Sequence, residues 1–189
     1  MMRIGQTIFA ACTALLISCL FAMAIFSTTI ARMDLRELAQ SAQIVVYARC
    51  EGSQPRWESG SIWSDYEFTA IEALKGAPPH LFRVRLPGGR IGHLETKVDG
   101  VPRFRTGEEV VLFVEPISGG GYSITSWAQG TFRVHRNAVG EARLTQDTSH
   151  FAVFDPATRN FMSAGIRDIS LSDFRKQVAE ALRVNASRR

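Results

Sequence analysis

The chain has 189 residues, of which 46% are hydrophobic and 21% charged, and its 22 basic and 18 acidic side chains give a net charge of +4. This length suits one folded domain with a core of its own. The small basic excess is spread over many arginines, so the composition does not indicate a nucleic-acid partner.

An apolar leader occupies residues 1–31, with no charged side chain between Arg3 and Arg32. About 20 apolar residues in a helix cross a hydrocarbon core of about 30 Å, which makes residues 4–30 a membrane-seeking segment. Arg3 provides a positive start, and the small residues at 29–31 predict signal-peptide cleavage before Arg32. The apolar part is longer than most signal peptides need, so an uncleaved membrane anchor is the alternative. Either outcome places residues 32–189 outside the cytoplasm, as a periplasmic or secreted domain or one anchored to the inner membrane.

The three cysteines do not form a disulfide framework. Cys12 and Cys19 lie within the leader, which leaves Cys50 alone in the remaining chain. Leu16-Ile17-Ser18-Cys19 is similar to a lipobox, although residues 20–26 stay apolar where a lipoprotein normally becomes polar. Lipidation of Cys19 therefore joins cleavage and retention as a third alternative. Cys50 ends the apolar run IVVYARC, which favours a buried thiol over a reactive one.

The folded part begins with a short predicted helix at 34–42, followed by a buried strand at 43–50. An alternating strand is predicted at 61–74, and the turn after it, at 75–79, contains two consecutive prolines that cannot donate hydrogen bonds. The run LFRVRL at 81–86 then alternates strictly and predicts the next strand.

Short strands dominate the second half of the chain, and glycine or proline bounds most of them. Three glycines at 119–121 indicate a hairpin connection, and the chain closes with an amphipathic helix at 171–184, capped by Ser170 or Ser172. The remaining predicted strands are 109–115, 122–127, 131–136, 142–145 and 151–154. We therefore expect one mainly β domain at 32–189, a small antiparallel barrel or sandwich with a C-terminal helix.

The order of segments such as SAQIVVYARC, YEFTAIEALKG, FRVRLPGG and VPRFRTGEEVVLFVEP resembles that of uncharacterised secreted bacterial proteins. In outline it is also similar to the OB-like barrel of the netrin and tissue-inhibitor-of-metalloproteinase type, over about residues 41–134. That resemblance implies a five-stranded, OB-like barrel that binds a partner. It does not extend to zinc chelation by an N-terminal cysteine, because the expected mature chain begins at Arg32.

No catalytic, metal-binding or cofactor motif stands out in the sequence. The four histidines, His80, His93, His135 and His150, are isolated and lack the spacing that gives a metal two ligands on one face. The glycine-rich string at 87–92 is not followed by a helix pattern, so it predicts a turn rather than a phosphate-binding loop. We expect no cofactor and no metal.

Arginines beside aromatic residues are the most suggestive surface feature, since barrels of this size can bind ligands with stacking rings and cations. The predicted binding residues are Trp57, Trp63, Arg83, Arg85 and Arg133. Arg103, Arg105, Arg136 and Trp127 belong to the same wider set. The alternative to a binding surface is that the tryptophans are buried in the core and the arginines are solvated surface residues. A location outside the cytoplasm argues against a nucleic-acid ligand.

Two functional hypotheses remain. The first is an exported, non-catalytic domain that binds another extracytoplasmic protein through a sheet edge or through the loop from Trp57 to Trp63. The second is an extracytoplasmic hydrolase or carbohydrate-active enzyme whose site is assembled from distant loops. A deep pocket lined by two or more of the candidate polar residues would favour the enzyme: Asp65, Glu67, His93, Glu95 and His135.

Overall fold

The structure, a computed structural model, describes residues 32–148, 153–155, 158–162 and 165–186. Two α-helices lie in these ranges, α1 (Leu35–Ser41) and α2 (Leu171–Ala186). The strands are β1 (Ile44–Glu58), β2 (Ser61–Lys75), β3 (Leu81–Pro87), β4 (Gly89–Ile91), β5 (Leu94–Thr96), β6 (Glu109–Pro116), β7 (Tyr122–Ile124), β8 (Thr131–Arg136), β9 (Ala142–Gln146), β10 (Val153–Asp155), β11 (Asn160–Met162) and β12 (Ile169–Ser170).

The main sheet closes partly into a ring. Its strands are ordered β1-β2-β3-β7-β6, and β1 pairs again with β6, while β8, β9 and β12 continue the sheet beyond β6. All neighbours in the ring are antiparallel except β3 and β7, which are parallel and joined by one residue pair, Val84 and Tyr122. The expected mainly β architecture is confirmed, and its ring is weakest between β3 and β7.

Two apolar cores lie on opposite faces of the sheet. Side chains such as Phe68, Phe82 and Leu112 fill the inside of the ring, while Phe113 and Phe132 pack outside it against the two helices. Burying each of these large apolar side chains contributes about 1.5–3 kcal/mol to the stability of the fold. The continuous apolar runs of β1 and β6 follow from this arrangement, because successive side chains enter different cores.

Helix α1 is fixed at both ends. Asp34 and Glu37 form a reciprocal capping box at its start. At its end the Lys75 ammonium donates hydrogen bonds to the carbonyls of Ala39, at 2.7 Å, and Ala42. Gly76 follows at φ +72, where a Cβ would lie 2.9 Å from the Gln43 carbonyl oxygen. The end of β2, at Lys75 and Gly76, is therefore joined to the end of α1.

Most predicted elements are present, with shifted boundaries. The C-terminal helix is confirmed, and the Ser170 hydroxyl accepts its capping hydrogen bond from the Asp173 N–H at 3.0 Å. The first strand continues to Glu58, eight residues beyond its prediction, because the long β1–β2 hairpin pairs to its tip. A small β4–β5 hairpin occupies the glycine-rich segment that the sequence predicts as a simple turn.

The strand predicted at 122–127 is wrong in its second half. Backbone pairing of β7 ends at Ile124, and a 3-10 helix follows at Trp127–Gly130. The predicted leader at 1–31 and the start of the strand predicted at 151–154 lie outside the described residues. Among the residues that are described, neither helix has the length and apolar character needed to cross a bilayer.

Candidate binding cleft

The outer face of β2 and β3 carries four charged side chains and one tryptophan. Ile62, Ser64, Tyr66 and Phe68 are buried on the inner side of β2, so the residues between them face outward. Cross-strand pairing then places the outward residues of β2 opposite those of β3. The outward pairs are Trp63 with Pro87, Asp65 with Arg85, and Glu67 with Arg83.

A β-bulge decides which residues of β1 join this face. The register of β1 against β2 shifts between Cys50 and Gly52, and beyond it Arg56 pairs with Trp63 whereas Trp57 pairs with Ile62. Because paired residues share a face, Arg56 lies on the outer face with Trp63. Trp57, which is 59% exposed, lies on the opposite face of the hairpin.

Asp65 is a buried carboxylate surrounded by three arginines. Its side chain is 4% exposed although it lies on the outer face. Arg85 donates hydrogen bonds from Nε at 2.8 Å and from Nη2 at 3.2 Å, and its Nη1 lies 3.2 Å from a Glu58 carboxylate oxygen. Arg56 Nε and Arg83 Nη1 lie 3.4 and 4.0 Å from Asp65 Oδ2. The hydrogen bonds from Arg85 hold the pKa of Asp65 below its usual value against the effect of burial.

Two adjoining clefts run along the outer edge of β3, where the ring is weakest. Both are lined by Ile117 of the β6–β7 loop, and their volumes are about 500 and 420 Å³. The first cleft contains Leu81, Arg83 and Tyr122 among its lining residues. The second is lined by Glu58, Trp63, Arg85, Pro87, Ser118, Ser123 and Trp127 besides Ile117. We call the two together the β3 cleft.

The backbone that carries Trp127 into the β3 cleft is strained. Ser126 and Trp127 both have left-handed φ angles, +54 and +48. Such a conformation is unfavourable for a bulky side chain and is found where the surroundings enforce it, often at functional sites. The hydroxyl of the preceding Thr125 is buried without a hydrogen-bond partner in the described structure. Gly130 closes the turn so tightly that a Cβ there would lie 2.1 Å from the Thr125 carbonyl oxygen.

Two glycines of the β6–β7 loop, Gly120 and Gly121, line the first part of the cleft. Gly119, Gly120 and Gly121 all have positive φ angles near +88. A Cβ on Gly121 would lie 3.0 Å from the Arg83 carbonyl oxygen, so this loop approaches β3 closely. Hydrogen bonds between Ile117 and both Gly120 and Gly121 order the loop.

The predicted binding residues divide between separate places. Trp63, Arg83 and Arg85 line the β3 cleft, whereas Trp57 is on the other face of the hairpin. Arg133 lies in a different cleft, where it donates hydrogen bonds to Glu108 and, at 2.8 Å, to Asp147. Its guanidinium also lies 5.7 Å from the centre of the Phe104 ring. These contacts give Arg133 a role in joining β8 to the segment before β6.

The candidate acids and histidines for hydrolysis are dispersed. The five candidates are Asp65, Glu67, His93, Glu95 and His135. Of these five, Glu67 alone lines the β3 cleft. His135 lies 3.3 Å from Asp168 on the exposed side of β8. Within the described ranges, no group of three histidine, cysteine or acidic side chains is placed to hold a metal ion. His150 lies outside those ranges.

Cys50 is buried inside the ring, as the sequence predicts. Burial raises the pKa of its thiol to about 11, which makes the thiolate scarce at neutral pH.

Sequence reasoning missed the structural role of Asp65 and the contributions of Leu81, Ile117 and Tyr122 to the cleft. Alternation along β2 and β3 identifies the outward residues, but the pairing register needed to bring Asp65 against Arg85 is not local information. No family model matches the chain, and no curated protein matches it.

Proposed function

We propose that this chain is an exported, non-catalytic binding domain whose partner, another extracytoplasmic protein, docks in the β3 cleft. The observation that carries the proposal is the strained Ser126–Trp127 turn, which holds a large aromatic side chain in an open cleft beside Trp63 and Arg85. Such unfavourable backbone angles lower the stability of a protein, and they are found most often at functional sites.

The contacts next to the predicted cleavage point support export. The backbone N–H of Met33 donates to the buried Gln129 side chain at 2.8 Å, and the N–H of Arg32 donates to the Phe154 carbonyl at 2.9 Å. The residues directly after the predicted cleavage point are therefore held to the β domain by hydrogen bonds from their backbone. This suits a leader that is either cleaved before Arg32 or retained as an anchor.

The ring order supports an OB-like barrel. Its five strands are ordered β1-β2-β3-β7-β6, with a return to β1 and a parallel β3–β7 contact, as expected for a five-stranded, partly open Greek-key barrel. Barrels of that type bind ligands on the face of their second and third strands and on the loops after the first and fourth. The β3 cleft combines the corresponding β2–β3 face with the β6–β7 loop.

The residue types in the cleft favour a protein partner. Tryptophan, tyrosine and arginine dominate the energetic centres of protein interfaces, and the cleft contains Trp63, Trp127, Tyr122, Arg83 and Arg85. Leu81, at 59% exposure, adds apolar surface at the rim.

The test is affinity recovery of the tagged full-length chain after cross-linking in its native host. Trp63→Ala and Trp127→Ala should each reduce recovery of the partner about tenfold or more, as expected for aromatic interface centres. Trp57→Ala is the matched control, because it removes an exposed tryptophan from the other face of the same hairpin. Equal recovery by all three variants, or a loss confined to Trp57→Ala, would contradict the proposed site.

A further inference from the structure

Three arginines converge on one buried carboxylate, but they do not share it equally. Arg85 uses Nε and Nη2 on Asp65 and Nη1 on Glu58, so each of its three nitrogens is engaged within the fold. Arg56 and Arg83 approach only Asp65 Oδ2, each through one nitrogen at 3.4 and 4.0 Å. Their side chains are 51% and 39% exposed.

The fold holds Arg56 and Arg83 in place over Asp65. Both approach the same oxygen atom, from the strands on either side of β2, so two like charges are held close together at the surface. Asp65 is buried and keeps a lowered pKa, which makes it a permanent counter-ion beneath them. One carboxylate that already accepts two hydrogen bonds from Arg85 cannot satisfy the remaining guanidinium donors.

Resting on the proposed function, we infer that Arg56 and Arg83 form a recognition site for an acidic side chain of the protein partner, beside the aromatic surface of Trp63. A carboxylate matches the paired N–H groups of a guanidinium, and charge-assisted hydrogen bonds of this kind are stronger than neutral ones. The partner segment would place an aspartate or glutamate on the arginines and an apolar neighbour on Trp63.

Glu67 sets the strength of this site. It lies opposite Arg83 in the β2–β3 register, is exposed, and forms no ion pair with any described residue. Its carboxylate competes electrostatically with an incoming acid. Replacing it with glutamine should therefore strengthen acid binding, a gain that general damage to the fold would not produce.

The test is binding of a fluorescein-labelled glutamate hexapeptide to the full-length chain in detergent, measured by fluorescence anisotropy at low ionic strength. A glutamine hexapeptide is the uncharged comparison. The variant R56Q/R83Q should bind the glutamate peptide about tenfold more weakly, and E67Q about twofold more tightly. R143Q/R175Q is the control of equal net charge, because these arginines pair with Asp168 and Glu72 elsewhere.

The inference is overturned if the glutamate peptide binds no better than the glutamine peptide, or if both double variants weaken binding equally. Recovery of the natural partner separates this result from the proposed function. If R56Q/R83Q recovers the partner normally while Trp63→Ala does not, the cleft is the binding site and acid recognition is wrong. If neither variant affects recovery, the proposed function itself fails.

Discussion

Replacing Asp65 with asparagine removes the charge that organises the outer face of β2 and β3. The two hydrogen bonds from Arg85 would lose their charge assistance, and a hydrogen bond to a charged group contributes about 1.5–3 kcal/mol to stability. Arg56 and Arg83 are well exposed, so their ion pairs add little. Because asparagine still accepts one hydrogen bond, we expect the free energy of unfolding to fall by about 2 kcal/mol and Tm by about 4–8 °C.

The assay is urea unfolding of the full-length chain in detergent, followed by tryptophan fluorescence at several pH values. The pKa of Asp65 is lowered in the folded state, so its stabilisation is complete above the unfolded value near 4 and is lost as the pH falls through the folded value. The difference between wild type and Asp65→Asn should therefore be full at pH 7 and shrink below pH 4.

Glu67→Gln makes the same chemical change two residues away, on an exposed side chain without an ion pair to a described residue, and should leave stability unchanged. Equal stability of wild type and Asp65→Asn at pH 7, or a difference that persists undiminished at pH 2, would refute the electrostatic explanation.

Three further predictions concern the framework that holds the cleft. Gly130→Ala should reduce the free energy of unfolding, measured in a thermal melt, by about 2–3 kcal/mol, because the new Cβ would overlap the Thr125 carbonyl. Gly52→Ala is the control and should be tolerated, since its Cβ meets nothing within 4 Å. Lys75→Met removes the hydrogen bonds that cap α1, so it should lower the free energy of unfolding by about 1 kcal/mol and speed amide exchange in that helix. Lys97→Met, which changes a solvated side chain, should do neither. In a Cys12→Ala/Cys19→Ala background, Cys50 should react with a disulfide reagent at pH 8 about 100-fold more slowly in the folded protein than in urea. The reason is that folding raises the pKa of its thiol from 9.0 to about 11, and equal rates would place the thiol outside the core.

Local pattern predicts much of this fold. Alternation in LFRVRL assigns Arg83 and Arg85 to one face and Val84 to the other, as the structure has them. Apolar spacing and a serine cap are sufficient for α2, because helix formation depends on neighbours three and four residues apart. The unbroken apolar run of β1 likewise indicates burial on both faces.

The site depends on relations that no local pattern contains. The bulge after Cys50 reverses the face of every following residue in β1, which brings Arg56 to Trp63 and turns Trp57 away. The turn at Ser126 and Trp127 breaks a run with good strand propensity, and it brings Gly130 against the Thr125 carbonyl, a contact between residues that no strand pattern indicates. Trp57 and Trp63 therefore separate, although the sequence places them in one loop.

Site-specific photo-cross-linking in the native host measures directly whether a partner contacts the cleft rim or a surface far from it. A photoreactive phenylalanine derivative at Leu81, on the rim of the β3 cleft, is compared with the same group at Val139, which is 86% exposed in the β8–β9 turn. A discrete cross-linked partner from position 81, and none from position 139, is the result that the β3 cleft predicts. Cross-linking at position 139 alone, or equally at both positions, would contradict a partner seated in this cleft.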